Sequence, residues 1–294
     1  MYLRKEIYAK MEIIIGKTAG FCYGVRNAVT KTEEKLKEYN EIYALGELVH
    51  NGEVIKKLEK LGLKTIENIE QAQNRVIIRA HGITKEIYDK AEKLGLEIFD
   101  YTCPSVLKTH KIADEYEKKG YFIFFIGNKK HPETIGTVSF CGENYYIIEN
   151  LEDIEEGIKI KEKSNKKKIL IFAQTTFSLE KYNNFVQIIK NRVSADTEVT
   201  AINTICSATK IRQEETEELS KKVQCMIIIG GKNSSNTKKL YDIAKENCKN
   251  TYIVETKDEL DLKQIQKFDL IGIMAGASTP DESIQDVVNA IQNC

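Results

Sequence analysis

The sequence predicts an α/β protein of three similar lobes with largely parallel sheets, related by a pseudo-threefold axis. Three observations predict it. Short apolar runs alternate with amphipathic helical patterns along the chain, as helices layered on parallel strands require. One interval occurs three times: the step from Cys22 to His50 equals that from Cys103 to His131 and that from Cys206 to Ser234. A second polar loop also recurs, since the step from Cys103 to Thr175 equals that from Cys206 to Ser278. In the first unit this loop comes sooner after its cysteine, at His81. A shared pair of spacings marks repeated supersecondary units.

The elements follow in chain order. Residues 1–10 are charged and read as an N-terminal extension without the apolar core of a secretory signal. The first lobe is assigned to 11–102, the second to 103–205 and the third to 206–294. Ile13–Ile15 opens as a buried strand. Val54, Leu58 and Leu61 recur at helical spacing, with Gly62 as the stop. Val76–Ile78 is the next strand. Thr84 caps a helix carrying Ile87, Ala91 and Leu94, and Gly95 ends it. Tyr121–Ile126, Ile169–Phe172, Met226–Ile229 and Leu270–Met274 are β-branched or aromatic runs bounded by polar residues, hence further buried strands. The only three prolines are Pro104, Pro132 and Pro280. They sit where cysteine or polar loops turn into helices, and the first helical position suits them.

Composition narrows the function. Lys+Arg and Asp+Glu both count 44, and hydrophobic residues make up 41%. That balance belongs to a folded soluble chain and argues against a general nucleic-acid binder. No apolar run is long enough for a membrane span. Seven cysteines, an odd number without a C-x-x-C pair, argue against a disulfide framework and for a reducing cytoplasm. Cys225 reads as a buried structural thiol, Cys141 beside Gly142 as either structural or functional with the structural reading favoured, and Cys248 and Cys294 carry no assigned role. His110 lies in a helical stretch apart from the other three histidines and reads as a surface or packed residue. Nothing argues for oligomerisation, so a monomer is expected.

Cys22, Cys103 and Cys206, one per unit, converge if the units pack about a threefold axis. Three thiolates suit a soft metal and leave one coordination position open, in a zinc site or an iron–sulfur core alike. The loops Gly230-Gly231-Lys232-Asn233-Ser234-Ser235-Asn236 and Ala275-Gly276-Ala277-Ser278-Thr279-Pro280 each follow a strand and open a helix. Glycines admit close backbone approach and helix N-termini favour negative charge, so the pair suits a phosphorylated ligand. His50 and His81 can donate to phosphate oxygens. His131-Pro132-Glu133 places a carboxyl beside a histidine at a helix start, a proton donor with Thr175 or Thr176 relaying or positioning. Beside an anionic ligand in a partly dry cavity, Glu133 should have a raised pKa. On these residues alone, a zinc hydrolase of a phosphorylated compound and a ligand or redox sensor compete with a reductase.

The motifs A-G-F-C-Y-G-V (19–25), L-G-E-L-V-H-N (45–51), R-A-H-G (79–82), D-Y-T-C-P (100–104), H-P-E (131–133), Q-T-T (174–176), T-I-C-S-A-T (204–209), G-G-K-N-S-S-N (230–236) and A-G-A-S-T-P (275–280) occur in that order. As a set the chain resembles the 4-hydroxy-3-methylbut-2-enyl diphosphate reductases of the non-mevalonate isoprenoid pathway. The resemblance implies a central [4Fe-4S] cluster on Cys22, Cys103 and Cys206. Its fourth iron, without a protein ligand, is easily lost to leave [3Fe-4S]. It implies a substrate diphosphate among His50, His81, His131, Ser234, Ser235, Asn236 and Ser278, with Thr175 or Thr176 on the substrate. It makes Glu133 the proton source, with His131 serving the phosphate, the proton path or both. It further implies electrons from ferredoxin or flavodoxin, and isopentenyl and dimethylallyl diphosphate as products.

Overall fold

The computed structural model describes residues 4–8 and 11–293; Cys294 and residues 1–3, 9 and 10 of the extension lie outside the described residues. The strands are β1 Arg4–Tyr8, β2 Met11–Ile15, β3 Ile42–Leu45, β4 Leu63–Ile66, β5 Arg75–Ile78, β6 Glu97–Asp100, β7 Phe122–Ile126, β8 Tyr145–Ile148, β9 Lys168–Ala173, β10 Glu198–Ala201, β11 Cys225–Ile229, β12 Thr251–Val254 and β13 Leu270–Ala275. The helices are α1 Tyr23–Glu38, α2 Gly52–Lys60, α3 Lys85–Lys93, α4 Pro104–Lys118, α5 Pro132–Val138, α6 Glu152–Lys163, α7 Leu179–Arg192, α8 Ser207–Ser220, α9 Ser235–Asn247, α10 Leu262–Ile265 and α11 Asp281–Gln292. They form two compact units. One holds the chain up to Arg26, Val49–Lys57 and the chain from Ser207 onward; the other holds Asn27–Leu48 and Leu58–Cys206.

Three parallel sheets carry one strand order: β4-β3-β5-β6, β8-β7-β9-β10 and β12-β11-β13-β2. β1 adds to the outer edge of the last, antiparallel to β2. The fourth strand of each sheet leads into a cysteine loop: β6 to Cys103, β10 to Cys206 and β2 to Cys22. The fourth strand of the third sheet is therefore supplied from the start of the chain. In the segment 11–102, β2 does not pair with β3–β6. It lies beside β13, in the register Ile271↔Ile13 and Ile273↔Ile15. A parallel partner near the opposite end of the chain leaves no local pattern, so the segment drawn from sequence could not show it.

Both faces of these sheets are covered, which is why the strands read as continuous apolar runs. Ile227, Ile229, Ile271 and Ile273 pack with Val287, Val288 and Ile291 of α11. The alternate residues Met226, Ile228 and Met274 pack with Leu219 of α8 and Leu240 and Ala244 of α9. In the other unit Phe122, Phe124 and Ile126 meet α6 and α7, while Ile123 and Phe125 face α4. Val76 and Ile78 pack with Leu45, Ile66 and Ala91. Truncating a fully buried phenylalanine such as Phe124 to alanine costs about 3–5 kcal/mol.

The helix ends follow local chemistry. Gly62 has φ +112°, and a Cβ there would lie 2.2 Å from the Asn40 carbonyl oxygen, so glycine is required. Thr84 is the N-cap of α3, and Gly95 follows its end with φ +68°. Leu61 and Leu94 complete the helical periods in sequence but lie past the last turns and are about half exposed, at 49% and 48%. Pro104 and Pro132 open α4 and α5, whereas Pro280 stands one position earlier, as the N-cap of α11. Cys141, Cys225 and Cys248 are buried, and burial pushes the thiols of Cys141 and Cys225 up to about 12. His110 is buried and stacks on Phe140 at 4.7 Å; burial lowers its pKa to about 4, which keeps it neutral.

Candidate active site

The three cysteines that begin the repeats differ from the others. Cys22, Cys103 and Cys206 lie outside any disulfide and are partly buried, whereas Cys141, Cys225 and Cys248 lie outside any disulfide and are buried. Each of the three directly precedes a helix: α1, α4 and α8. Soft, accessible sulfur donors outside any disulfide are the chemistry that a thiolate-bound metal centre needs, and the donor set fits such a group.

Each cysteine amide is also tied to a polar loop in the same manner. Cys22 N–H donates to the Ala277 carbonyl at 3.1 Å, Cys103 N–H to Ala80 at 3.0 Å and Cys206 N–H to Thr175 at 3.0 Å. The acceptors immediately precede Ser278, His81 and Thr176. Sequence spacing set Thr175 level with Ser278 and His81. The backbone bonds set Thr176 level with them, one residue on.

α5 positions the carboxyl. His131 is its N-cap, and His131 Nδ1 accepts from Glu133 N–H at 3.1 Å, satisfying one of the helix's open donors. Glu133 then turns inward, 1% exposed. Its Oε1 accepts from Thr175 N–H at 2.6 Å and its Oε2 from Thr175 Oγ1–H at 2.8 Å. Burial raises the Glu133 pKa to about 7, against the two Thr175 bonds, which pull it down. The ring of His81 meets that of His131 edge-on, with centroids 5.5 Å apart. Gln174, which the sequence did not single out, braces this corner. Its Oε1 accepts from Asn128 N–H at 3.1 Å and its Nε2 donates to Thr176 Oγ1 at 2.9 Å. Only its place beside the two threonines in Q-T-T could have pointed to it.

The other unit brings together the glycine-rich loops and His50. Ser234 caps α9, its Oγ accepting from Thr237 N–H. Ser278 Oγ donates to the His50 carbonyl at 3.0 Å. Gly231 lies against that carbonyl, and a Cβ there would be 2.6 Å from it. Asn236 is 3% exposed, and neither its Oδ1 nor its Nδ2 has a hydrogen-bond partner among the described residues. An amide buried at such cost fits a ligand that supplies the missing partners. Ser235 is half-buried next to it.

No helix among the described residues is long and apolar enough to cross a membrane. Comparison with known proteins gives a consistent result. A family model described as LytB protein matches residues 13–292. The 4-hydroxy-3-methylbut-2-enyl diphosphate reductase of Clostridioides difficile is 44% identical over 286 residues, covering 96% of this chain and 100% of that protein. That of Aquifex aeolicus is 42% identical over 287 residues, with 96% of each covered. A solved structure of (E)-4-hydroxy-3-methyl-but-2-enyl diphosphate reductase, described as the terminal enzyme of the non-mevalonate pathway, is 42% identical with a TM-score of 0.69. It covers 96% of this chain and 99% of that one. The Plasmodium falciparum reductase structure is 33% identical with a TM-score of 0.87, covering 95% of this chain and 87% of that one.

Proposed function

The chain belongs to the LytB family, and from that premise we propose that it removes the hydroxyl of (E)-4-hydroxy-3-methylbut-2-enyl diphosphate reductively. It is an oxidoreductase. Two electrons and two protons enter, the allylic C–O bond breaks, water leaves, and the carbon skeleton gains hydrogen as isopentenyl or dimethylallyl diphosphate. This is the last step of the non-mevalonate isoprenoid route.

Cys22, Cys103 and Cys206 would hold the iron–sulfur cluster, as [4Fe-4S] with one iron lacking a protein ligand. When bound, it supplies the electrons and a Lewis acid for the hydroxyl. The chain's own residues do the rest. His50, His81, His131, Ser234, Ser235, Asn236 and Ser278 bind the diphosphate, and the unpartnered Asn236 amide supports that assignment. Glu133 holds a proton at its carboxyl up to about pH 7, and Thr175 fixes the carboxyl's orientation through two hydrogen bonds. Thr175 Oγ1 can contact the substrate hydroxyl through its second lone pair. Burial of the carboxyl, 1% exposed, shields that proton from exchange with bulk water. Ferredoxin or flavodoxin delivers the electrons to a monomer in the cytoplasm; an odd number of cysteines without a C-x-x-C pair supports a reducing compartment.

The observation that carries this reading is the buried, half-neutral Glu133 bonded twice to Thr175, in a chain alignable over 96% of its length with named reductases. The test is anaerobic purification, iron and sulfide analysis, and turnover of the diphosphate with a reduced donor. A brown protein with turnover lost in Cys206→Ser is expected. A colourless zinc protein, or a cluster without turnover, overturns it.

A further inference from the structure

The loop between β2 and α1 carries Cys22 but belongs to neither element, so its backbone groups need partners from elsewhere. Two side chains of α8 supply them at Lys17, Thr18 and Gly20. Glu215 Oε1 accepts from Lys17 N–H at 2.7 Å, and its Oε2 accepts from Thr18 N–H at 2.9 Å and Thr18 Oγ1–H at 2.5 Å. Arg212, 3% exposed, donates from Nε to the Thr18 carbonyl at 2.9 Å and from Nη2 to the Gly20 carbonyl at 2.8 Å. A charged acceptor and a charged donor, one turn apart, thus grip both sides of the same short loop. Gly20 itself has φ +101°, and a Cβ there would meet Asp281 Oδ1 at 3.0 Å and Ile284 Cδ1 at 3.3 Å. The loop has little freedom left when it reaches Cys22.

α8 begins at Ser207, directly after Cys206. At 1.5 Å per residue, the two gripping side chains lie roughly 9 to 14 Å along that helix from Cys206. One rigid element therefore starts next to one sulfur-bearing residue and clamps the loop that bears another. Charge-assisted bonds to backbone are shorter and stronger than neutral ones, which suits such a brace. Thiolate sites depend on outer groups of this kind to orient their ligands.

We propose that Arg212 and Glu215 are positioning residues for the metal centre, presenting Cys22 at a fixed place relative to helix α8. The proposal deepens the reading above, because it takes Cys22 and Cys206 to serve one cluster. Neither residue is assigned contact with substrate or with iron.

The test uses the whole chain with Arg212→Met, Arg212→Lys, Glu215→Ala and Glu215→Gln. In the metal-free, fully reduced protein, alkylation by iodoacetamide is followed cysteine by cysteine with peptide mass analysis. Arg212→Met removes two charge-assisted bonds and Glu215→Ala three, and each should speed modification of Cys22 at least about tenfold, the effect on local opening of losing even one such bond. Cys103 should keep its wild-type rate, and the Lys and Gln variants should fall between. After anaerobic reconstitution, the same order should appear in the rate at which visible cluster absorption is lost in air. An unchanged Cys22 rate overturns the proposal. So does an equal rise at Cys22 and Cys103, which would mark general loosening of the fold. Should the wild type bind no cluster, the functional reading fails, while the alkylation pattern still decides whether the clamp exists.

Discussion

Thr175→Val tests the coupling between Glu133 and its partner. The substitution removes the Oγ1–H bond to Glu133 Oε2 and keeps the N–H bond to Oε1. A hydrogen bond to a charged group is worth about 1.5–3 kcal/mol, and one pKa unit corresponds to about 1.4 kcal/mol. The lost bond favoured the ionised carboxylate, so its removal moves the Glu133 pKa up by about one to two units. From about 7, it should reach roughly 8 to 9. The assay is kcat/KM against pH with a chemically reduced donor, because that ratio reports ionisations of the free enzyme. The alkaline limb of the wild type should lie near pH 7, and that of Thr175→Val one to two units higher. Loss of a substrate contact by Thr175 would lower the whole curve without moving the limb. A limb that stays in place, or moves down, refutes Glu133 as the proton source governed by Thr175.

Two further predictions concern binding and stability. The Glu133 pKa is raised on folding, from 4.5 to about 7, so the group contributes stability in full below pH 4.5 and loses it as pH rises through 7. That loss amounts to about 3 kcal/mol. Glu133→Gln should remove this slope from urea unfolding measured at pH 5 and pH 8, and a variant with the wild-type slope would contradict the burial argument. Asn236→Ala should raise KM for the diphosphate about tenfold to a hundredfold while iron and sulfide content stay unchanged; an unchanged KM would remove Asn236 from the anion site.

Much of this architecture is legible in the sequence because parallel strands buried on both faces leave continuous apolar runs. Tyr121–Ile126 and Met226–Ile229 reveal β7 and β11 without any alignment. The sheet to which Ile13–Ile15 belongs is not legible, since its partner β13 is fixed by tertiary packing alone. Leu61 and Leu94 fit the helical period yet lie outside the helices, because periodicity does not say where the last turn ends. Glu133 and Thr175 are bonded although far apart in the chain; the motifs H-P-E and Q-T-T marked both, whereas equal spacing put the repeat one position off, at Thr175 instead of Thr176. Arg212 and Glu215 stayed hidden for a different reason. Charged residues on a helix look the same whether they face solvent or hold a loop.

The three amide-to-carbonyl ties at Cys22, Cys103 and Cys206 have a wider consequence. In each case the cysteine amide donates to the carbonyl of the residue just before His81, Thr176 or Ser278. A shift of one of those loops would be passed through this bond to the cysteine backbone, and the reverse. Linkage of this sort runs in both directions with equal strength. On the function proposed above, diphosphate affinity and the ease of adding an electron to the cluster should therefore shift together.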